Sequence, residues 1–175
     1  MKQALIIIDM QEIFFSEEPN YLYQYEQLLK NVNIVIDWAR TKEIPVIFIQ
    51  HTEQNLLDEM AKGKYTWELH KGLHREDNDM VIEKITWDAF YQTTLEKILK
   101  KLGIEQLIFA GAQTEFCLDT TMRVAYSKGY QQNLLVKGTH STLNSSKLTA
   151  EQIIEHHESV WNNRFVQIQP IDGFI

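Results

Sequence analysis

Leu107-Ile108-Phe109-Ala110-Gly111-Ala112-Gln113-Thr114-Glu115-Phe116-Cys117 is the stretch on which the reading of this chain turns. Leu107 to Ala110 is an apolar run of strand length. Gly111 marks a turn, and Thr114 is of the residue type that caps a helix. A strand, a glycine turn and a helix start in such short order mark a βα unit of a parallel sheet. With Thr114 as N-cap, Cys117 falls at the third helical position, beside free backbone N–H groups and the positive end of the helix dipole. That setting lowers a thiol pKa and favours the reactive thiolate. Cys117 is also the only cysteine. Most lone cysteines are small buried apolar residues, so the rest of the chain has to decide.

Working outward, the same alternation recurs. Ala4 to Ile8 is an apolar, β-branched run ending at Asp9, read as a buried strand. Tyr21 to Arg40 keeps one apolar helical face through Leu28, Val32, Val35, Ile36 and Ala39. Ile44-Pro45 breaks to a second strand, Val46 to Ile49. Residues 52–78 show no period, and long irregular stretches in compact domains are often functional. Met80 to Ile82 is a third strand, ending at Glu83-Lys84. Tyr91 to Leu102 is helical and closed by Gly103. The helix through Cys117 runs to Lys128, where Gly129 stops it. Asn133 to Val136 is a fifth strand, Thr149 caps a helix to Trp161, and Phe165 to Ile168 is a sixth strand. Short apolar strands alternating with helices predict one three-layer α/β/α domain over residues 1–175. Its central sheet is six-stranded and mostly parallel, in a Rossmann-like arrangement.

Composition narrows the function classes. The chain has 175 residues, 44% hydrophobic and 23% charged, enough for one sizeable core. The formal net charge of −7 argues against nucleic acid or an anionic membrane surface as partner. A single cysteine leaves no internal disulfide and no multi-cysteine metal site. No apolar stretch reaches membrane-spanning length, and Met1-Lys2-Gln3-Ala4 enters a strand without signal-peptide architecture. The expectation is a soluble cytoplasmic protein.

Open parallel sheets bind ligands at the carboxyl ends of their strands. That rule selects Asp9 after the first strand, Lys84 after the third and Cys117 after the fourth. A carboxylate can accept the thiol proton, and an ammonium can hold the carboxylate and stabilise negative charge. Backbone N–H groups around the Gly111–Cys117 turn can stabilise an oxyanion. Asp9 or Lys84 alone would read as a solvated strand-end residue; the three together carry more weight.

In these blocks the chain resembles the isochorismatase-like cysteine hydrolases. The matching text is Leu5-Ile6-Ile7-Ile8-Asp9-Met10-Gln11, then Val81-Ile82-Glu83-Lys84 with Phe90 and Thr94. The third block is Gly111 to Cys117 with Asp119-Thr120-Thr121, Arg123-Val124-Ala125 and Gly129-Tyr130. The likeness covers about Ala4 to Ile168. It implies a triad of Cys117 as nucleophile, Asp9 as general base and Lys84 as electrostatic partner. It also implies a cis Ala112–Gln113 peptide that aims the Gln113 N–H, with that of Cys117, at an oxyanion. The implied reaction is hydrolysis of a C–N bond in a small amide, ureide or lactam through a thioester, without a cofactor. Homo-oligomers are usual in the family. Isochorismatase-like or nicotinamidase-like activity is the alternative, as is a non-catalytic member binding a metabolite or a partner. Family members that cleave isochorismate, a vinyl ether, need no cysteine nucleophile.

Nicotinamidases of the family carry an Asp-x-His metal pair after the second strand. Here the text is Gln50-His51-Thr52-Glu53. The pair is missing, so no metal site is expected and His51 reads as a pocket-lining or hydrogen-bonded residue. Gln11, Phe14 and Trp87 are candidate substrate contacts. Trp67 reads equally well as a stacking residue or as closing the core beneath the long loop. A phosphoacceptor receiver domain would want an acidic pair at the first strand, where Ile7 and Ile8 stand. A nucleotide-binding domain would want a glycine-rich first loop, and Met10 to Phe14 has none.

Overall fold

The computed structural model describes residues 1–16 and 20–174. Six strands form one sheet: β1 (Gln3–Ile8), β2 (Val46–His51), β3 (Met80–Lys84), β4 (Gln106–Ala112), β5 (Asn133–Ser141) and β6 (Val166–Gln169). Their order is β3-β2-β1-β4-β5-β6, and every pairing is parallel. The chain steps outward from β1 to β3, returns to the centre at β4, and steps outward again to β6. The direction therefore reverses between β1 and β4, the point at which a doubly wound sheet opens a crevice.

The helices are α1 (Ile13–Ser16), α2 (Tyr25–Thr41), α3 (Leu95–Leu102), α4 (Asp119–Ser127) and α5 (Ala150–Trp161). Alternation along β1 separates two cores. Ala4, Ile6 and Ile8 pack with Leu95 and Leu99 of α3, Met122 and Ala125 of α4 and Trp161 of α5. Leu5 and Ile7 pack with Leu28, Val32, Val35, Ile36 and Ala39 of α2. A strand covered on both faces must be apolar throughout, which is why β1 reads as a continuous run.

Several boundaries differ from the sequence reading. The second helix begins at Tyr25 rather than Tyr21, because Gln24 is left-handed (φ 50°) and interrupts the turn before it. Likewise α3 begins at Leu95 rather than Tyr91, after the left-handed Gln92 (φ 54°). The fifth strand extends to Ser141 rather than Val136. Between the pairs Phe109–Leu135 and Gly111–His140 it carries extra residues as a bulge. The polar run Lys137-Gly138-Thr139-His140 hides this extension from hydrophobic pattern.

Gly111 fixes how closely β4 approaches β1. Its φ is +120°, and a Cβ there would lie 2.0 Å from the Ile8 carbonyl oxygen. Only glycine fits, so this seam brings the ends of β1 and β4 together.

Candidate active site

Asp9 follows β1 in the left-handed region (φ 48°), its N–H bonded to the Ile49 carbonyl at 3.0 Å. Such a conformation costs a non-glycine residue about 1–3 kcal/mol and persists only where the surroundings enforce it. The side chain is 2% exposed. Lys84 is the last residue of β3 and also buried. Its Nζ lies 2.6 Å from Asp9 Oδ2, 3.2 Å from Cys117 Sγ and 3.1 Å from His51 Nδ1. An ammonium has three hydrogens and no lone pair, and here it has three acceptors around it.

Two consequences follow for the charges. Burial works against the Lys84 ammonium, but Asp9 and Cys117 outweigh it and hold the Lys84 pKa above the ordinary lysine value. The ammonium sits off the hydrogen-bond axis of the carboxylate. Neither Asp9 oxygen therefore has an aligned donor among the described residues, despite the short charge–charge distance.

The thiol departs from the sequence expectation. Cys117 was expected at a capped helix start that lowers its pKa. Burial instead pushes the thiol up, the Asp9 carboxylate adds to that, and Lys84 opposes both without cancelling them. The local turn also differs. Gln113, not Thr114, precedes the first helical residue. The turn is wide, with the Leu118 N–H donating to the Gln113 carbonyl at 3.2 Å. Thr114 does not cap it; its hydroxyl lies 3.0 Å from Nδ1 of His140 on the β5 extension. The Ala112–Gln113 peptide is cis.

Asp9, His51 and Cys117 direct donor atoms to within 4.8 Å of one another. The Lys84 ammonium stands among them, where a cation would have to go. His51 is committed on both ring nitrogens, to Lys84 through Nδ1 and to Glu53 through Nε2 at 2.9 Å. This donor set does not fit a resident metal.

A cavity of about 210 Å³ opens over the cluster, lined by Asp9, Phe14, His51, Glu53, Met60, Trp87, Gln113, Phe116 and Cys117. Trp87 is 59% exposed and its ring lies 5.6 Å from that of Phe116. Of the larger concavities elsewhere on the surface, none holds a thiol.

A model of the isochorismatase domain matches residues 3–155. The chain belongs to the isochorismatase family. Among its family relatives is nicotinamidase 3 of Arabidopsis thaliana, 31% identical over 141 residues, or 73% of this chain and 68% of the relative. The ureidoacrylate amidohydrolase of Pantoea ananatis is 26% identical over 172 residues, covering 78% and 68%. A crystal structure of an isochorismatase family protein superposes with a TM-score of 0.89 at 40% identity, covering 96% of this chain and 98% of that one.

Within this family fold the sequence-predicted residues divide. Asp9, Lys84 and Cys117 converge, and Gln113, Phe14 and Trp87 line the cavity with them. Gln11 does not reach it. Gln11 is fully buried, donating to the carbonyls of His51 and Trp67 at 2.9 and 2.7 Å and accepting the His51 N–H at 2.8 Å. It clamps the β2 end to the long loop. Trp67 closes the core, 8% exposed, with its indole N–H on Thr52. Glu53, Met60 and Phe116 line the cavity without having been foreseen. Glu53 and Met60 lie in or against the stretch with no period. Phe116 sits one residue from Cys117, and that adjacency was the signal available for it.

Proposed function

We propose that this isochorismatase-family hydrolase cleaves the C–N bond of a small amide, ureide or lactam through Cys117. Sγ attacks the carbonyl carbon while Asp9 takes the thiol proton. The oxyanion forms against the N–H groups of Gln113 and Cys117. Asp9 then passes the proton to the departing nitrogen, the C–N bond breaks, and an acyl thioester remains. Water attacks the thioester with Asp9 as base, Sγ leaves and regains the proton, and a carboxylic acid is released. Lys84 pairs with Asp9 and offsets the negative charge that develops beside it.

The observation that carries this reading is the single ammonium within 2.6 Å of a buried carboxylate and 3.2 Å of the only thiol, at the switch of the sheet. The raised thiol pKa supports it further: a thiol that does not ionise by itself needs an adjacent base. The relatives named nicotinamidase and ureidoacrylate amidohydrolase agree with an amide as substrate.

The test is a screen of small amides, ureides and lactams for release of ammonia or amine. Cys117→Ala should fold with an unchanged circular dichroism spectrum and lose turnover of every compound the native chain hydrolyses. Turnover retained in that variant would end the proposal.

A further inference from the structure

The charges lining the cavity are one-sided. Asp9 and Glu53 carry the carboxylates there, and no lysine or arginine is among the described lining residues. The Lys84 ammonium lies beneath the floor, hydrogen-bonded to Cys117 and His51 and ion-paired with Asp9. Because that ammonium can only donate, His51 Nδ1 must accept. The ring is then neutral, with its proton on Nε2 directed at Glu53. Glu53 thus faces a neutral N–H donor rather than a cation.

Glu53 is also held in place. Its N–H donates to the Met60 carbonyl at 2.9 Å, and its backbone bridges to Ala61. Its carboxylate is 45% exposed and lies at the cavity mouth. The nearby loop lysines are engaged elsewhere, Lys62 with Glu83 and Lys64 with Glu59. Of the remaining walls, Phe14, Met60, Trp87 and Phe116 are apolar, and Gln113 is polar but uncharged.

We infer that Glu53 is a specificity residue, selecting substrates that are uncharged or cationic away from the scissile bond and rejecting those that carry a carboxylate. The inference rests on the reading of this cavity as the substrate site. A carboxylate entering the mouth would meet Glu53 and then Asp9, with no free cation among the described lining residues to answer it. A flat neutral or cationic group would lie against the Trp87–Phe116 face and offer its N–H donors to Glu53.

The lone thiol gives a direct test that does not depend on turnover. Cys117 is alkylated with iodoacetamide and, separately, with iodoacetate, reagents that differ in charge. The rate ratio is referred to the same chain in denaturant. The native chain should disfavour iodoacetate by at least about tenfold more than the denatured chain, the scale of one like-charge encounter in a partly buried site. Glu53→Gln should remove most of that excess. A native ratio equal to the denatured one, or an excess untouched by Glu53→Gln, would overturn the inference. A matched pair of aromatic carboxamides, one bearing a ring carboxylate, adds the catalytic readout. Equal kcat/KM for the two would also overturn the inference and leave the hydrolase standing. Failure of every amide would instead fall on the hydrolase reading, and the alkylation ratio would still decide the role of Glu53.

Discussion

At the residue scale the chemistry turns on where the Cys117 proton goes. The thiol is buried beside an anion, and both effects hold the proton on sulfur. In the proposed mechanism Asp9 acts in two opposed ways: its charge makes the thiolate harder to form, and its lone pairs make transfer possible during attack. Replacing it separates them. In Asp9→Asn the charge that raises the thiol pKa is gone while Lys84 remains, so the pH midpoint for iodoacetamide alkylation should move down. Amide hydrolysis should fall by about 10²–10⁴-fold, the usual contribution of a general base. A midpoint that moves up would contradict the sign of the Asp9 effect on the thiol, and hydrolysis that survives would show that Asp9 is not the base. The residue types of the triad were legible because strand ends are legible. The sign of the thiol shift was not, since burial of Cys117 depends on packing among Leu118, Met122 and Trp161 that no local window contains. Gln11 misled for the same reason: its place after Asp9 is plain, but its three backbone partners come from β2 and the long loop.

At the element scale the decisive contact is the β1–β4 seam. Gly111→Ala would drive a Cβ into the Ile8 carbonyl, whereas Gly103→Ala, also at positive φ, meets nothing within 4 Å. The second change should cost about 1–2 kcal/mol, the strain of a left-handed L-residue. The first should lower the melting temperature further and cost activity as well, because Asp9 directly follows Ile8. Equal melting losses in the two variants would contradict the close approach. Apolar runs and caps gave away most elements. Thr149, for instance, closes a full capping box with Gln152 at the start of α5. The misplaced starts of α2 and α3 trace to Gln24 and Gln92. Their left-handed backbones are imposed by the surrounding fold and have no counterpart in residue type.

At the scale of the whole molecule, the doubly wound order sets Asp9 and Cys117 on either side of the switch and reaches Lys84 in from the far strand. The sheet thereby assembles a thiol, a carboxylate and an ammonium from three distant parts of the chain. That much follows from alternating strands and helices with a few chemical residues at their ends. The walls of the cavity do not, because Glu53 and Met60 belong to or meet the stretch without periodicity, whose path is set by contacts such as the Glu53–Ala61 bridge. Among the described residues no helix is long and apolar enough to cross a membrane. The central claim is a covalent acyl intermediate on the one thiol of the chain. Rapid acid quench during turnover of an amide identified by the screen, followed by intact mass and peptide mapping, tests it most directly. The predicted result is a mass gain equal to the acyl group, mapped to Cys117 and missing from Cys117→Ala. An acyl group on any other residue, or a chain that stays at its unmodified mass while Cys117→Ala hydrolyses the same amide, would contradict it.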